Sequence, residues 1–331
     1  MRLTPRLTFA AAGVAVAALT LSGCAAGDTA ADAETTGVSI VASTNVYGSI
    51  AESIGGDLVT VTSLIDSAAQ DPHSYEASAQ DQLTLSKADL VIENGGGYDP
   101  FIDTLLSASS TDVPVVSATD SSGLLEGDDH AHEEGEEEHA DEVAGEEHTE
   151  DDGHNHIEGF NEHVWYSFHG MEHVAEEIAH QLSEIDADNA AAYEANLAAF
   201  VGEIEALEAS AEALHTQTEG LNVAITEPVP LYLLEAAGFT NATPEEFSEA
   251  IEEGTDVAPL VLQQTLALFT EGSVSLLAYN SQTAGAETEQ VRAAAESNNV
   301  PVVEFTETLP DGADYISWMT DNLSAISAAL N

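Results

Sequence analysis

Four polar residues of this 331-residue chain follow or adjoin apolar segments and carry side chains that can bind a metal ion. They are His73 in DPHSYE, His163 in NEHVWY, Glu227 in VAITEPVP and Glu307 in VEFTETLPDG. Each has an ordinary alternative when taken alone: a surface loop residue, a member of a histidine-rich run, a helix cap or a solvated turn residue. Together, two imidazoles and two carboxylates make a donor set that suits a borderline divalent ion.

The elements that would position these residues are short apolar strands that alternate with helices. Such alternation predicts parallel sheets, whose ligands bind beyond the carboxyl ends of the strands. The glycines of ENGGGYDPF lack a helix-opening GxGxxG pattern and predict a tight turn rather than a phosphate loop. The strand-like runs are residues 38–45, 58–65, 89–97, 113–119, 221–227, 273–280 and 300–307.

A stretch rich in Ala, Glu and Leu from Asp186 to Gln217 predicts one helix of about 30 residues. A helix of this length can link two lobes. We therefore expect an α/β lobe at residues 38–185, a linking helix at 186–218 and a second α/β lobe at 219–331. Each lobe would be a parallel sheet flanked by helices, with the metal site in the crevice between the lobes.

The N-terminus has the pattern of a bacterial lipoprotein signal. Two arginines precede an apolar run, residues 7–21, that is shorter than the ~20 residues of a membrane-spanning helix. The run ends in LSGC, which resembles a lipobox in which Cys24 is lipidated; the alternative is a signal peptide with a chance cysteine. We expect removal of residues 1–23, a flexible tether at 24–37 and anchoring at the outer face of the cytoplasmic membrane.

The composition is strongly acidic, with 61 Asp and Glu against 4 Lys and Arg and a formal net charge of −57. Loss of residues 1–23 would leave Lys87 and Arg292 as the basic residues. Such a surface repels nucleic acids and anionic lipids, so we expect no nucleic-acid partner. Self-repulsion at this charge density indicates a saline environment, in which counter-ions screen the charge.

An insertion at residues 128–158 interleaves histidines with carboxylates directly before His163. This composition cannot form a packed core, so we predict a disordered segment. Its imidazoles prefer zinc, copper or nickel over manganese. We interpret it as an auxiliary weak metal collector; the alternative is an acidic insertion tolerated in a salt-adapted protein. The candidate weak ligands are His130, His132, His139, His148, His154 and His156.

Over most of the mature length, the sequence resembles the metal-binding lipoproteins of bacterial ATP-binding-cassette importers for zinc or manganese, the ZnuA/TroA-like proteins. DPHSYE resembles their first-ligand motif and NEHVWY their second, which usually has Pro where this chain has Glu162. ENGGGYDPF resembles their glycine-marked strand end, and FTETLPDGADYISWMTDNL their fourth-ligand segment. A histidine-rich acidic insertion before the second ligand is a feature of zinc-type members.

The resemblance implies capture of Zn²⁺, with Mn²⁺ as the alternative, and delivery to a permease and its ATPase by a monomeric protein that is not an enzyme. It also implies that His73, His163, Glu227 and Glu307 bind the ion. The third ligand is histidine in many zinc-type members and glutamate in many manganese-type members, while the fourth is usually aspartate. Because Glu307 departs from that pattern, Asn280 in LLAYNSQTAG is a second candidate for the fourth ligand.

Two further classes of function compete with this interpretation. A secreted zinc hydrolase would need a general base beside a metal-bound water, and the helical HExxH pattern is absent. In HGMEH, His169 and His173 are four residues apart without a glutamate beside the first, so we interpret them as helix-surface residues. A surface adhesin or structural lipoprotein, in which metal is incidental, would also carry the secretion signal.

Overall fold

Two four-stranded sheets, all of whose strand pairs are parallel, form the frame of the protein. The structure, a computed structural model, describes residues 37–109, 112–126, 157 and 159–331. The first sheet has the order β2-β1-β3-β4 and the second β6-β5-β7-β8. The strands are β1 Val38–Thr44, β2 Val59–Ile65, β3 Leu90–Glu93, β4 Val115–Ser117, β5 Asn222–Ile225, β6 Thr240–Asn241, β7 Leu276–Asn280 and β8 Val302–Phe305.

The predicted fold class is confirmed, and the apolar runs named above contain seven of these strands. The sequence analysis missed β6, which at two residues is too short for an alternating or continuous apolar pattern to be visible. Cys24, residues 1–36 and the six candidate histidines of the insertion lie outside the described residues, so the predictions about them remain predictions.

Helices cover the faces of both sheets and connect successive strands, as parallel pairing requires. Among the described residues, no helix is long and apolar enough to cross a membrane. The helices are α1 Asn45–Gly55, α2 Ala79–Leu85, α3 Pro100–Ala108, α4 Ala118–Ser121, α5 Phe168–Ile185, α6 Ala190–Thr218, α7 Leu231–Ala236, α8 Glu245–Glu252, α9 Pro259–Thr270, α10 Ala286–Ser297 and α11 Tyr315–Ala329.

The long helix α6 has 29 residues and joins the two halves. Its buried side chains, among them Phe200, Ile204, Leu207 and Leu214, recur at spacings of three and four residues and so form one apolar stripe. The stripe packs against α1 and α5 of the first half and against α7 and α11 of the second. One hydrophobic core therefore runs through both halves.

Hydrogen bonds also hold loops of the two halves together. The Asn45 side chain donates to the Leu309 carbonyl over 3.2 Å and accepts from the Leu309 amide over 3.0 Å. The hydroxyl of Tyr166 donates to the Thr306 carbonyl at 2.7 Å, and that of Tyr315 to the Trp165 carbonyl at 2.7 Å. These contacts fix the loop that carries Glu307 against the segment that carries His163.

Candidate metal site

His163 lies in the segment before the 3-10 helix Val164–Tyr166 and is almost completely buried, with 1% of its surface exposed. Its Nδ1 lies 2.8 Å from Oδ1 of Asn161, which also accepts the His163 backbone N–H at 3.2 Å. An amide oxygen only accepts hydrogen bonds, so Nδ1 carries the proton and Nε2 is the ligand nitrogen. This is the arrangement in which a second residue orients a metal-binding histidine.

His73 lies in the loop after β2, and its ring faces His163 with 6.4 Å between ring centroids. Its backbone N–H donates to Asp71 at 3.0 Å, which fixes the turn that Pro72 begins. Tyr98 packs edge-on against both imidazoles, with ring centroids 4.9 Å from His73 and 5.8 Å from His163. Its hydroxyl donates to Glu307 Oε2 at 3.4 Å, so one buried tyrosine contacts three of the four predicted ligands.

The turn of ENGGGYDPF places Tyr98. Gly95, Gly96 and Gly97 all have positive φ, which confirms the predicted tight turn. A side chain on Gly95 would also collide with the Ser117 hydroxyl, 2.7 Å from the ideal Cβ position. Asp99 closes the turn by accepting the backbone N–H groups of Asn94 and Gly95 at 2.7 and 2.9 Å.

Glu227 follows β5 and Glu307 follows β8, and both are nearly inaccessible to solvent. Asn280, the last residue of β7, lies between them: its side-chain amide donates to Glu227 Oε2 and, at 2.7 Å, to Glu307 Oε1. Thr283 donates a further hydrogen bond to Glu227 Oε2 at 2.6 Å. The Asn280 oxygen accepts the Gln282 backbone N–H at 3.0 Å, so this amide holds the two carboxylates in position.

Two glutamates that sequence analysis did not select lie closer to the imidazoles. Glu162 Oε1 is 3.4 Å from His73 Nδ1, and Glu252 Oε1, at the end of α8, is 3.6 Å from His163 Nε2. One potential ligand atom from each of these four residues lies within 4.8 Å of the others. The structure thus gathers a His₂Glu₂ set beside the pair Glu227 and Glu307, which belongs to the same crevice through Tyr98.

The carboxyl groups of the crevice are shifted toward their protonated form. Burial raises the pKa of Glu227 to about 7, although hydrogen bonds from Thr283 and Asn280 oppose the shift. Burial, together with the charge of Glu227, raises the pKa of Glu307 to about 8. Burial, together with the charges of Glu162, Glu227 and Glu307, raises the pKa of Glu252 to about 9. So many acids in a largely buried crevice favour a bound cation.

The structure therefore brings all four predicted residues into one crevice, where the two imidazoles are paired most closely with Glu162 and Glu252. The substitution of Glu162 for the usual proline was visible in the sequence. The sequence did not indicate a role for Glu252, because this residue stands among other helix-surface acids in EEFSEAIEEG.

His169 and His173 lie apart from the crevice on α5, with Nε2 atoms 3.3 Å from each other; His169 is exposed and His173 is partly exposed.

Comparison with known proteins gives one family match along most of the chain. The model of the family described as "zinc-uptake complex component A periplasmic" matches residues 40–329. ScaA of Streptococcus gordonii, named a manganese ABC transporter substrate-binding lipoprotein, is 27% identical over 324 residues, which cover 94% of each chain.

Two further similarities concern proteins named for zinc. The zinc-binding protein AdcA of Streptococcus pyogenes serotype M3 is 30% identical over 139 residues, which cover 40% of this chain and 25% of AdcA. The solved structure of the periplasmic zinc-binding protein TroA from Treponema pallidum matches with a TM-score of 0.68 at 17% identity, covering 89% of this chain and 99% of TroA. This last likeness concerns the fold.

Proposed function

Because the chain belongs to the family of zinc-uptake complex component A proteins, we propose that it captures Zn²⁺ outside the cytoplasm and delivers it to an ATP-binding-cassette importer. The family is a solute-binding component of transport systems. Its relatives include substrate-binding lipoproteins named for manganese or zinc. Binding and release, rather than bond-making chemistry, is the task of such a component.

The observation that carries this proposal is the crevice itself. His73, His163 and Glu307 contact Tyr98, and Asn280 links Glu227 to Glu307. All four assigned ligands except His73 are nearly completely buried. We assign His73, His163, Glu227 and Glu307 as the ligands in the loaded state. Such a set offers two nitrogens and at least two oxygens, a combination that zinc accepts readily.

Manganese is the second candidate, and the oxygen donors of the crevice favour it. Carboxylates suit manganese, while imidazoles suit zinc, copper and nickel. The surplus of glutamates around two histidines therefore makes a manganese receptor of the same architecture the chief rival. The histidine-rich insertion favours zinc, because its imidazoles have little preference for manganese.

A competitive titration tests the proposal. The purified full chain, stripped of metal by a chelator, is titrated with zinc and with manganese at physiological ionic strength. We expect one tight zinc site that manganese displaces only at large excess. A tight site that prefers manganese would assign the protein to the rival importer, and the absence of any tight site would refute capture of either ion.

The insertion and the lipid anchor extend the proposal to residues outside the described part of the chain. We assign residues 128–156 as a weak zinc collector and Cys24 as the lipidated anchor of a monomeric receptor. Deletion of residues 128–156 should abolish weak zinc sites and leave the tight site unchanged. Uptake that is unchanged by this deletion under severe zinc limitation would refute the collector.

A further inference from the structure

The donor set His73, His163, Glu162 and Glu252 has the dimensions of a second metal position in the same crevice. Ligand atoms at adjacent corners of a tetrahedron with bonds of ~2.1 Å are about 3.4 Å apart. The contacts His73–Glu162 and His163–Glu252 measure 3.4 and 3.6 Å, and all four ligand atoms lie within 4.8 Å of one another. Contraction of the longer separations, which reach up to 4.8 Å, toward 3.4 Å would complete the coordination of an ion there.

The second position lies on the side of the crevice that opens to solvent. Glu162 and Glu252 line a cavity of about 490 Å³, together with Glu245, Glu249 and Glu253. The side chains of Glu252 and His73 are 18% and 14% exposed, whereas Glu162, Glu227 and Glu307 are nearly inaccessible to solvent. Acidic walls of a cleft attract cations and raise their local concentration. An ion that comes through this cavity meets Glu252 and Glu162 before it meets the inner carboxylates.

The placement of Glu252 is unfavourable for the fold. It is the last residue of α8, where the partial negative charge of the helix C-terminus repels a carboxylate. Glu162 is likewise a nearly buried acid in a crevice that already holds Glu227 and Glu307. A buried carboxylate is costly unless a nearby positive charge offsets its own, and a cation bound between these acids and the two imidazoles would offset both.

We propose that a divalent transition-metal ion first binds His73, His163, Glu162 and Glu252, and then moves inward as Glu227 and Glu307 replace Glu162 and Glu252. The inference rests on the proposed function. His163 has one ligand nitrogen, Nε2, because Nδ1 is held by Asn161. The outer and inner positions are therefore alternatives for a single ion, and Glu252 is a transient ligand during its passage.

A kinetic measurement distinguishes a position that the ion occupies only transiently from one that it occupies in the loaded state. Zinc capture by the full chain is followed by tryptophan fluorescence, since the Trp165 ring is 5.1 Å from His163, and release is followed with excess chelator. Glu252→Gln and Glu162→Gln should each slow capture and release by the same factor, about tenfold, and leave Kd within about twofold. Equal factors follow because both directions use the same position.

The matched control is Glu249→Gln, which removes the same charge from an exposed residue of α8 in the same cavity. Its effect on capture should be no more than about twofold and should vanish at high salt. Equal slowing by Glu249→Gln and Glu252→Gln would overturn the proposal in favour of a general acidic field. Unchanged rates in Glu252→Gln would overturn it as well.

A second measurement distinguishes failure of this inference from failure of the proposed function. Glu227→Gln/Glu307→Gln should still bind zinc through the outer set, at least about 100-fold more weakly than the wild type. Adding Glu162→Gln and Glu252→Gln should abolish that residual binding. Residual binding that survives in the quadruple variant overturns the outer position. Tight binding that survives in the double variant would instead refute the inner ligand assignment made above.

Discussion

The two sheets of the protein share one strand order, but the loops that follow their strands carry different chemistry. In each half the first strand lies between the second and third, and all pairs are parallel. The first half supplies His73 and His163, with Tyr98 between their rings. The second half supplies Glu227 and Glu307, with Asn280 between their carboxylates. The common frame thus fixes where the loops meet, and the loop residues decide what they bind.

The two kinds of donor behave differently when no ion is present. Neutral imidazoles can be buried without a charge to compensate, whereas buried carboxylates hold protons, as the raised pKa values of Glu227 and Glu307 indicate. We therefore expect the histidines to decide whether a transition metal binds at all. The carboxylates of the second half should adjust which metal is preferred.

The largest effect should follow from removal of an imidazole. His163→Gln keeps a polar side chain but removes the Nε2 ligand atom, and we expect zinc affinity to fall at least about 100-fold in a chelator competition assay. His180→Gln, at an exposed histidine of α5, is the matched control and should leave the affinity unchanged. Equal affinities of the two variants would show that the first half does not supply the decisive donor.

Removal of a carboxylate of the second half should have a smaller effect on zinc and a larger one on manganese. Glu307→Gln is close in shape to the protonated acid, so the fold should be retained while the charged oxygen donor is lost. We expect about 10- to 100-fold weaker zinc binding and a greater loss for manganese, which depends more on oxygen ligands. Competitive titration of both ions measures the ratio.

Glu271→Gln, at an exposed residue of the same half, is the control for loss of one negative charge. It should change neither affinity nor selectivity beyond about twofold at physiological salt. If Glu307→Gln instead lowered the affinity for both ions by the same factor, the proposed division between binding and selectivity would be wrong.

The sequence predicted the fold through signals that act locally. Apolar runs that end in polar residues gave seven strands, and a stretch of strong helix formers gave α6. The same logic brought His73, His163, Glu227 and Glu307 to strand ends or their neighbours, where parallel sheets bind ligands. These features needed no knowledge of how the two halves pack.

What depends on how distant segments of the chain pack together could not be predicted from sequence. Glu252 reaches His163 only because α8 ends beside the segment that follows the insertion, and its neighbours Glu249 and Glu253 have the same residue type. Asn280 was a candidate ligand by its position after a strand. Its hydrogen bonds to two carboxylates arise because β5, β7 and β8 are adjacent in the sheet, so that their ends converge.

The role of Asn280 gives a third and smaller expected effect. Asn280→Ala removes the amide that orients both carboxylates while leaving all four assigned ligands in place. We expect about tenfold weaker zinc binding, at the lower end of the range for residues that orient ligands. Asn298→Ala, at an exposed amide after α10, is the control. A loss as large as that of His163→Gln would identify Asn280 as a ligand itself.

The smallest effect on zinc affinity is expected at Glu93, a half-buried acid of the first half that is outside the assigned ligand set. Burial, together with the charges of Asp99, Asp103 and Asp120, raises the pKa of Glu93 from 4.5 to about 8. The native state therefore keeps a proton that the unfolded chain releases between these pH values. Stability from this group is fully present below about pH 4.5 and is lost as the pH rises through about 8.

Glu93→Gln mimics the protonated acid and should remove this dependence. One proton that is bound in the folded state and released in the unfolded state changes the free energy of unfolding by at most about 1.4 kcal/mol per pH unit. Allowing for partial exposure of the side chain, the metal-free variant should be more stable than the wild type on the order of 2 kcal/mol at pH 7.5 and equally stable near pH 4.5. Thermal or denaturant unfolding with chelator present measures the difference.

The zinc affinity of Glu93→Gln tests the difference between the two halves. Zinc affinity of Glu93→Gln should equal that of the wild type, because the charges that act on the Glu93 carboxyl are those of Asp99, Asp103 and Asp120, none of which is an assigned ligand. In Glu307→Gln, by contrast, both the stability of the metal-free protein and its zinc affinity should change. The buried carboxyl destabilises the metal-free fold, and the same carboxyl binds the ion when zinc is present. A zinc affinity that fell in Glu93→Gln would mean that an acid of the first half other than Glu162 also acts on the ion, and the division of the assigned ligands between the two sheets would not hold.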